Sequence, residues 1–190
     1  MGDIMDTATL IALVIAILAL CGIAFLLVDR YRTRKLRSRF GPEFDRAVAQ
    51  EGSVRRAKTV LDRREKRVAR YQLRELTAEE RENLAAEWNQ VQQRFVDDPN
   101  DAIERAERLV VKAMHLRGYP TSDFESQTAD LSVSHPNVLT DYRIAHEIML
   151  QTASGKATTE DLRRAMQHYR NLFQDIASTG WIREEARLAS

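Results

Sequence analysis

The sequence predicts an all-α protein, with one N-terminal transmembrane helix followed by a compact helical domain of about five or six helices. Three observations predict it. Residues 8–28 form an apolar run without Asp, Glu, Lys or Arg, in which Thr9 is the one polar side chain. Glycine and proline are scarce, 7 and 4 of 190 residues, and Ala, Arg, Glu and Leu are abundant, a composition that favours helix. Past residue 42 the apolar residues recur at steps of three and four, the period of an amphipathic helix.

At about 1.5 Å per residue the run 8–28 spans roughly 30 Å, the thickness of a bilayer's hydrocarbon core. A helix is the one single segment that satisfies its own backbone there. Six basic residues follow directly, Arg30, Arg32, Arg34, Lys35, Arg37 and Arg39, whereas only Asp3 and Asp6 precede it. The positive-inside rule then places the N-terminus outside and the rest in the cytoplasm. Cleavage as a signal peptide is not expected, because the leading residues are acidic and the apolar core is too long. A lipobox at Cys21 is not expected either, since Leu20 stands where a small residue belongs. Cys21 is the single cysteine, which excludes an intramolecular disulfide and suits a reducing compartment. Ala8, Ala12, Ala16 and Ala19 offer a small-residue seam for a second copy, although alanine is also common in such helices.

The near-neutral total conceals an asymmetry. Residues 29–75 carry sixteen Lys/Arg against seven Asp/Glu, and residues 76–190 carry thirteen against nineteen. A basic block beside an anionic leaflet gains about 1 kcal/mol per nearby cation. Anionic lipid headgroups are therefore the expected partner, with Arg30, Arg32, Arg34, Lys35, Arg37 and Arg39 as the lipid-contacting residues. The chain divides into a short extracytoplasmic N-terminus (1–7), the span (8–28), a basic juxtamembrane segment (29–41), a helical cytoplasmic domain (42–178) and a loose tail (179–190).

Gly41-Pro42 breaks the helix leaving the membrane, and Pro42 starts a short helix that ends near Gly52. Ser53 caps a helix over 54–73, whose stripe Val54, Ala57, Leu61, Arg64, Val68 and Tyr71 steps by three and four. So narrow a stripe packs on one neighbour or pairs with another copy, making a homo-oligomer a candidate partner state. Thr77 and Glu80 form a capping box before a helix with Leu84, Trp88, Val91 and Phe95 on one face. Trp88 on such a stripe reads as core rather than as a stacking platform. Asp97-Asp98-Pro99-Asn100-Asp101 lacks the ligand spacing of a calcium loop and reads as a helix start, with Asp98 the cap and Pro99 first. Ile103, Ala106, Leu109, Val110, Ala113 and Met114 face inward, and Gly118 stops that helix.

Ser122 and Glu125 read as a second capping box, opening a short helix with Phe124 and Leu131. Ser134-His135-Pro136 is a turn. A helix over 136–153 presents Val138, Leu139, Tyr142, Ala145, Ile148 and Met149. The last helix opens at Thr158-Thr159-Glu160-Asp161, presents Leu162, Met166, Tyr169, Phe173 and Ile176, and ends at Ser178-Thr179-Gly180.

Four stretches carry a resemblance: Arg117-Gly118-Tyr119-Pro120 with Asp123-Phe124-Glu125; Ala129-Asp130-Leu131-Ser132-Val133 with His135-Pro136; Tyr142-Arg143 with Ala145-His146; and Leu162-Arg163 with Ala165-Met166, His168-Tyr169-Arg170 and Leu172-Phe173. Their order resembles an uncharacterised family of small bacterial proteins with one N-terminal membrane helix and a helical cytoplasmic domain. The likeness covers most of residues 30–176. It implies the same topology and a bacterial origin, and it carries no site residues.

No chemistry-bearing motif emerges. None of His115, His135, His146 and His168 has a Glu three residues before it, as a di-iron bundle needs, and His146-Glu147 continues Ile148-Met149-Leu150 rather than into a zinc-protease motif. A phosphate loop, a dinucleotide fingerprint and a nucleophile elbow are absent. No catalytic, cofactor or metal residue is assigned. His146 and His168 facing each other across two helices is the one arrangement with sensing or metal-binding potential, against the plainer reading of polar residues at helix edges. The expected function is a membrane-anchored, non-catalytic interaction or scaffold module. The alternatives are an enzyme or small-ligand sensor, with a groove around Trp88, Tyr142 and Tyr169, and nucleic-acid binding by the basic helix 54–73. Asp62, Glu65 and Glu75 interrupt that basic stretch, and no stacking aromatics accompany it, so nucleic acid is the weaker alternative.

Overall fold

Eight helices form along the chain in a computed structural model that describes residues 7–120 and 123–188. Helix α1 (Thr7–Phe40) does not end with the apolar run. It continues unbroken through the basic residues and stops at Gly41, whose φ of 51° no longer fits the helix. The juxtamembrane segment is thus the last three turns of one rod, because Arg, Lys, Leu and Ser carry the helix until Gly41-Pro42. α1 is the one helix among the described residues that is long and apolar enough to cross a membrane, and none of its apolar stretch is buried inside the protein.

Helix α2 (Pro42–Glu51) has Pro42 in its first turn and ends on Gly52 in the left-handed region, φ 69°. Ser53 then caps α3 (Val54–Val68) by accepting from the Arg56 N–H. α3 stops five residues short of the expected end at 73. Tertiary bonds hold the following chain out of the helix: the Tyr71 hydroxyl donates to Asp130 at 3.0 Å and the Arg74 N–H to the Arg117 carbonyl at 3.0 Å. Of its stripe, Ala57, Leu61 and Val68 are buried, Arg64 is half-buried and Val54 is 42% exposed. Apart from Val54, the stripe packs within the chain, where α3 meets α2 and α6.

Helix α4 (Ala78–Asp97) opens on the expected capping box, Thr77 and Glu80 each bonding the other's backbone. Arg74 also grips the Glu80 carboxylate through two nitrogens, at 2.6 and 2.8 Å. The Arg74 hydrogen bond, then the Thr77 N–H, holds the Glu80 carboxyl down to about 2 from an ordinary 4.5. A carboxylate held low in the folded state adds stability that is complete above pH 4.5 and lost as pH falls toward 2. Carboxyl NMR titration should therefore place the Glu80 midpoint near 2. A midpoint at the ordinary value would show that the box is not closed.

Helix α5 (Pro99–Leu116) is capped by Asp98, with Pro99 in its first turn. α6 (Phe124–Ser134) is capped by Asp123, which accepts from the Ser126 N–H at 3.0 Å; the expected cap Ser122 lies outside the described residues. The carboxylate one position on supplies the cap, and Glu125 becomes an ordinary first-turn acid. α7 (Leu139–Ala153) begins three residues later than expected, after a turn through Pro136. α8 (Thr159–Leu188) runs past the expected stop at Gly180, since one glycine inside a helix costs only about 1 kcal/mol against alanine.

Among the described residues seven helices follow α1, one for each segment that the caps and apolar stripes mark out after residue 42, short α2 and α6 included. They bury two clusters. The larger joins α4, α5, α7 and α8 around Ile103, Val110, Tyr142, Tyr169 and Leu172. The smaller joins Phe40 of α1, Phe44 and Ala47 of α2, Ala57, Leu61 and Val68 of α3, and Val133 of α6. Tyr71 and Leu73 touch both clusters, so the chain between α3 and α4 is the apolar joint between the membrane-proximal hairpin and the distal bundle.

Candidate membrane-facing site

The rod of α1 past Val28 has two faces. Asp29, Thr33, Leu36 and Phe40, at helical spacing, turn toward α2 and α3: Asp29 accepts from Lys58 at 2.7 Å, and Leu36 and Phe40 join the smaller cluster. The six expected lipid contacts divide between this inner side and the outer one. Arg37 bonds Asp45 at 2.5 Å and lies 5.6 Å over the Phe44 ring; Arg39 pairs with Glu65. Arg30, Arg32, Arg34 and Lys35 are exposed and form no ion pair among the described residues.

Height along the rod divides them the same way. At about 1.5 Å per residue, Arg30 to Lys35 lie roughly 3–10 Å past Val28, and Arg37 and Arg39 roughly 14–17 Å. Charges beyond about 8 Å from a surface are screened at physiological salt. The four unpaired cations are therefore the ones nearest the end of the apolar run, and Arg37 and Arg39 lie farther from it. Tyr31, 70% exposed among them, is placed where interfacial tyrosines collect; the sequence reading missed it, although a Tyr just past an apolar span is itself the signal.

The remaining candidates are held by the protein. Trp88 stacks on Phe173 at 4.8 Å, and Tyr142 and Tyr169 are fully buried, so these aromatics are packed core and line no open groove. The Tyr142 hydroxyl donates to Gln127 at 2.6 Å; burial raises both phenols. His146 and His168 each share a hydrogen bond with a carboxylate on another helix, Glu107 at 2.6 Å and Asp141 at 2.7 Å. Phe124 stacks on the His146 ring at 3.6 Å, and His135 pairs with Asp175. These pairs pin α5, α6, α7 and α8 to one another. No group of three His, Cys, Asp or Glu that could hold a metal occurs among the described residues.

On α3, Lys58, Lys66 and Arg67 are taken by Asp29, Asp62 and Asp130, which removes much of the track a nucleic-acid backbone would follow. The side chain of Asp130 is 3% exposed and also accepts from Tyr71, so Arg67, itself 44% exposed, reaches in to a buried carboxylate. Arg64 stays half-buried beside it; burial lowers its pKa and nearby Glu43 partly restores it.

A cavity of about 270 Å³ lies where α5 and α6 end, lined by Arg39, Arg74, Arg117, Tyr119, Ser134 and His135. Its cations are committed: Arg39 to Glu65, Arg74 to Glu80, and Arg117 to the Ile176 carbonyl at 2.8 Å. They answer two carboxylates and one backbone carbonyl of the protein itself rather than await an anion. The exposed cations just past Val28 thus form a basic surface that no ion pair among the described residues answers. Comparison with known protein families, with curated proteins and with solved structures gives no match to this chain.

Proposed function

We propose that this protein is a single-pass, non-catalytic membrane-anchored interaction module, N-terminus outside and helical domain in the cytoplasm, seated on anionic lipid by Arg30, Arg32, Arg34 and Lys35. The observation that carries the reading is the exposure of α1. A core helix of a water-soluble protein hides its apolar side chains, whereas Leu18 and Leu20 here are 65% and 69% exposed on a rod with no protein around it. Lipid is the surrounding that makes such a helix stable. The unpaired cations begin where the apolar run ends, as the positive-inside rule requires of a cytoplasmic flank. The packed aromatic core favours a scaffold over a catalyst, and the acidic distal bundle is the part offered to a cytoplasmic partner. The resemblance noted above is consistent with a bacterial cytoplasmic membrane.

The test uses the full chain in nanodiscs containing an anionic lipid with a photoreactive headgroup. Label is expected on residues 30–35, falling with added salt and lost in the Arg30→Glu, Arg32→Glu, Arg34→Glu, Lys35→Glu variant. Labelling that ignores both charge and salt would remove the lipid-seating part of the proposal.

A further inference from the structure

The helical hairpin after α1 folds back along the rod toward its apolar run. From Asp29 the rod climbs about 16 Å to Phe40, at 1.5 Å per residue. Gly41 reverses the chain, and α2, ten residues long, descends about 15 Å beside the rod. Arg37 with Asp45 fixes that descent at its top, and Leu36 and Val48 pack on the same cluster below it. α3 then climbs again. Lys58 meets Asp29, and Glu65 meets Arg39, so α3 follows α1 in the same direction. Val54 lies four residues before Lys58, about 6 Å nearer the membrane. Both routes, down α2 and back along α3, bring the Gly52-Ser53-Val54 corner to within about 6 Å of the level of Asp29, the first charge after the apolar run.

The corner's side chains suit that level. Val54 is 42% exposed, whereas Ala57 and Leu61 on the same stripe are fully buried. Arg55 and Arg56 follow it, both exposed and without an ion pair among the described residues. The corner is rigid: the Gly52 N–H reaches the Val48 carbonyl at 2.9 Å, and the Ser53 hydroxyl oxygen accepts from both the N–H and the Nε–H of Arg56. An apolar tip followed directly by two guanidiniums is the pattern of an interfacial contact, with the tip at the acyl boundary and the cations at phosphates.

We infer that the α2–α3 corner is a second membrane contact, with Val54 entering the interface of an anionic leaflet and Arg55 and Arg56 binding its headgroup phosphates. The inference rests on the lipid-seated reading above. With it, the cytoplasmic domain stands on two feet, the collar of α1 and this corner, which fixes the tilt and rotation of the distal bundle over the membrane.

The experiment is spin-label depth measurement on the full chain in phosphatidylglycerol-containing nanodiscs. In a Cys21→Ala background, labels are placed through Tyr31→Cys, Val54→Cys and Val96→Cys, the last position being 84% exposed on the distal bundle. Oxygen reports lipid and a nickel chelate reports water. The label at 54 is expected to show an oxygen-to-nickel accessibility ratio several-fold above that at 96 and close to that at 31. Adding Arg55→Glu and Arg56→Glu is expected to return it to the value at 96. A label at 54 that matches 96, while 31 stays interfacial, overturns the corner contact alone. A label at 31 in water overturns the seating on which it rests. Depth at 54 unchanged by the two Glu substitutions overturns the role of the phosphates.

Discussion

Arg143→Met is expected to destabilise the protein by about 3–5 kcal/mol, the effect of removing one partner from a buried ion pair. The Arg143 guanidinium, on α7, donates to both oxygens of Glu43, on α2, at 2.7 and 3.1 Å. The two side chains are 17% and 5% exposed. Burial lowers the Arg143 pKa and the Glu43 charge works against that lowering, so each ion is tolerated because of the other. Truncating the arginine leaves a carboxylate in a nearly dry site, with Arg64 the nearest compensation. The double variant Glu43→Met, Arg143→Met removes both ions and should recover most of the loss. Denaturant unfolding of the full chain in mild detergent reads both numbers. A single-variant loss below about 1 kcal/mol, within the range of surface ion pairs, would mean that the pair is solvated. This pair ties the hairpin to the distal bundle across 100 residues of sequence, so amide exchange in α2 should accelerate before exchange in α5 does.

Gly118→Ala is expected to cost about 2–5 kcal/mol, in two parts. Gly118 has φ +90°, where a side chain costs about 1–2 kcal/mol. The added Cβ would also stand 2.5 Å from the Gln72 carbonyl oxygen and 3.3 Å from its carbon. Those are backbone atoms, so the 72–74 segment must move, at about 1–3 kcal/mol for forced overpacking. That segment is held by the Arg74 N–H on the Arg117 carbonyl, and it carries Leu73, which touches both apolar clusters. Gly155→Ala is the control. Its φ is +67° with nothing within 4 Å of the new Cβ, so it should show the backbone cost alone. Equal losses at 118 and 155 would contradict the close approach of residue 72.

What the sequence disclosed and what it hid divide by range. Local bonds were readable because each cap is a short side chain near its own helix: Ser53, Thr77 with Glu80, Asp98 before Pro99, and the stops at Gly52 and Gly118. The inner faces of α5 and α8 were readable for the same reason, as period alone selects Ile103, Val110, Leu162 and Tyr169. Where two local signals compete, the sequence points to the wrong one: Ser122 with Glu125 reads as the capping box, and Asp123 caps α6. Where a distant group decides, it gave no sign. α3 ends early because Asp130 and Arg117 capture the following residues, and Glu43 pairs with a residue 100 positions away. The membrane-facing residues split similarly. The cations after Val28 are legible from hydropathy and charge, but their division into paired Arg37 and Arg39 and unpaired Arg30 to Lys35 depends on Asp45 and Glu65. The α2–α3 corner becomes visible only once the hairpin is folded back along α1.

Protease protection tests whether α1 spans a membrane with the helical domain on its cytoplasmic side. Full-length chain carrying an N-terminal epitope is expressed, and membranes are prepared both as inside-out vesicles and as right-side-out cells without walls. The account predicts that protease digests the helical domain in inside-out vesicles while the epitope survives, and that intact cells show the reverse. A helical domain protected in inside-out vesicles and cleaved in intact cells would contradict the orientation. Release of the whole chain from membranes by alkaline washing would contradict the span itself.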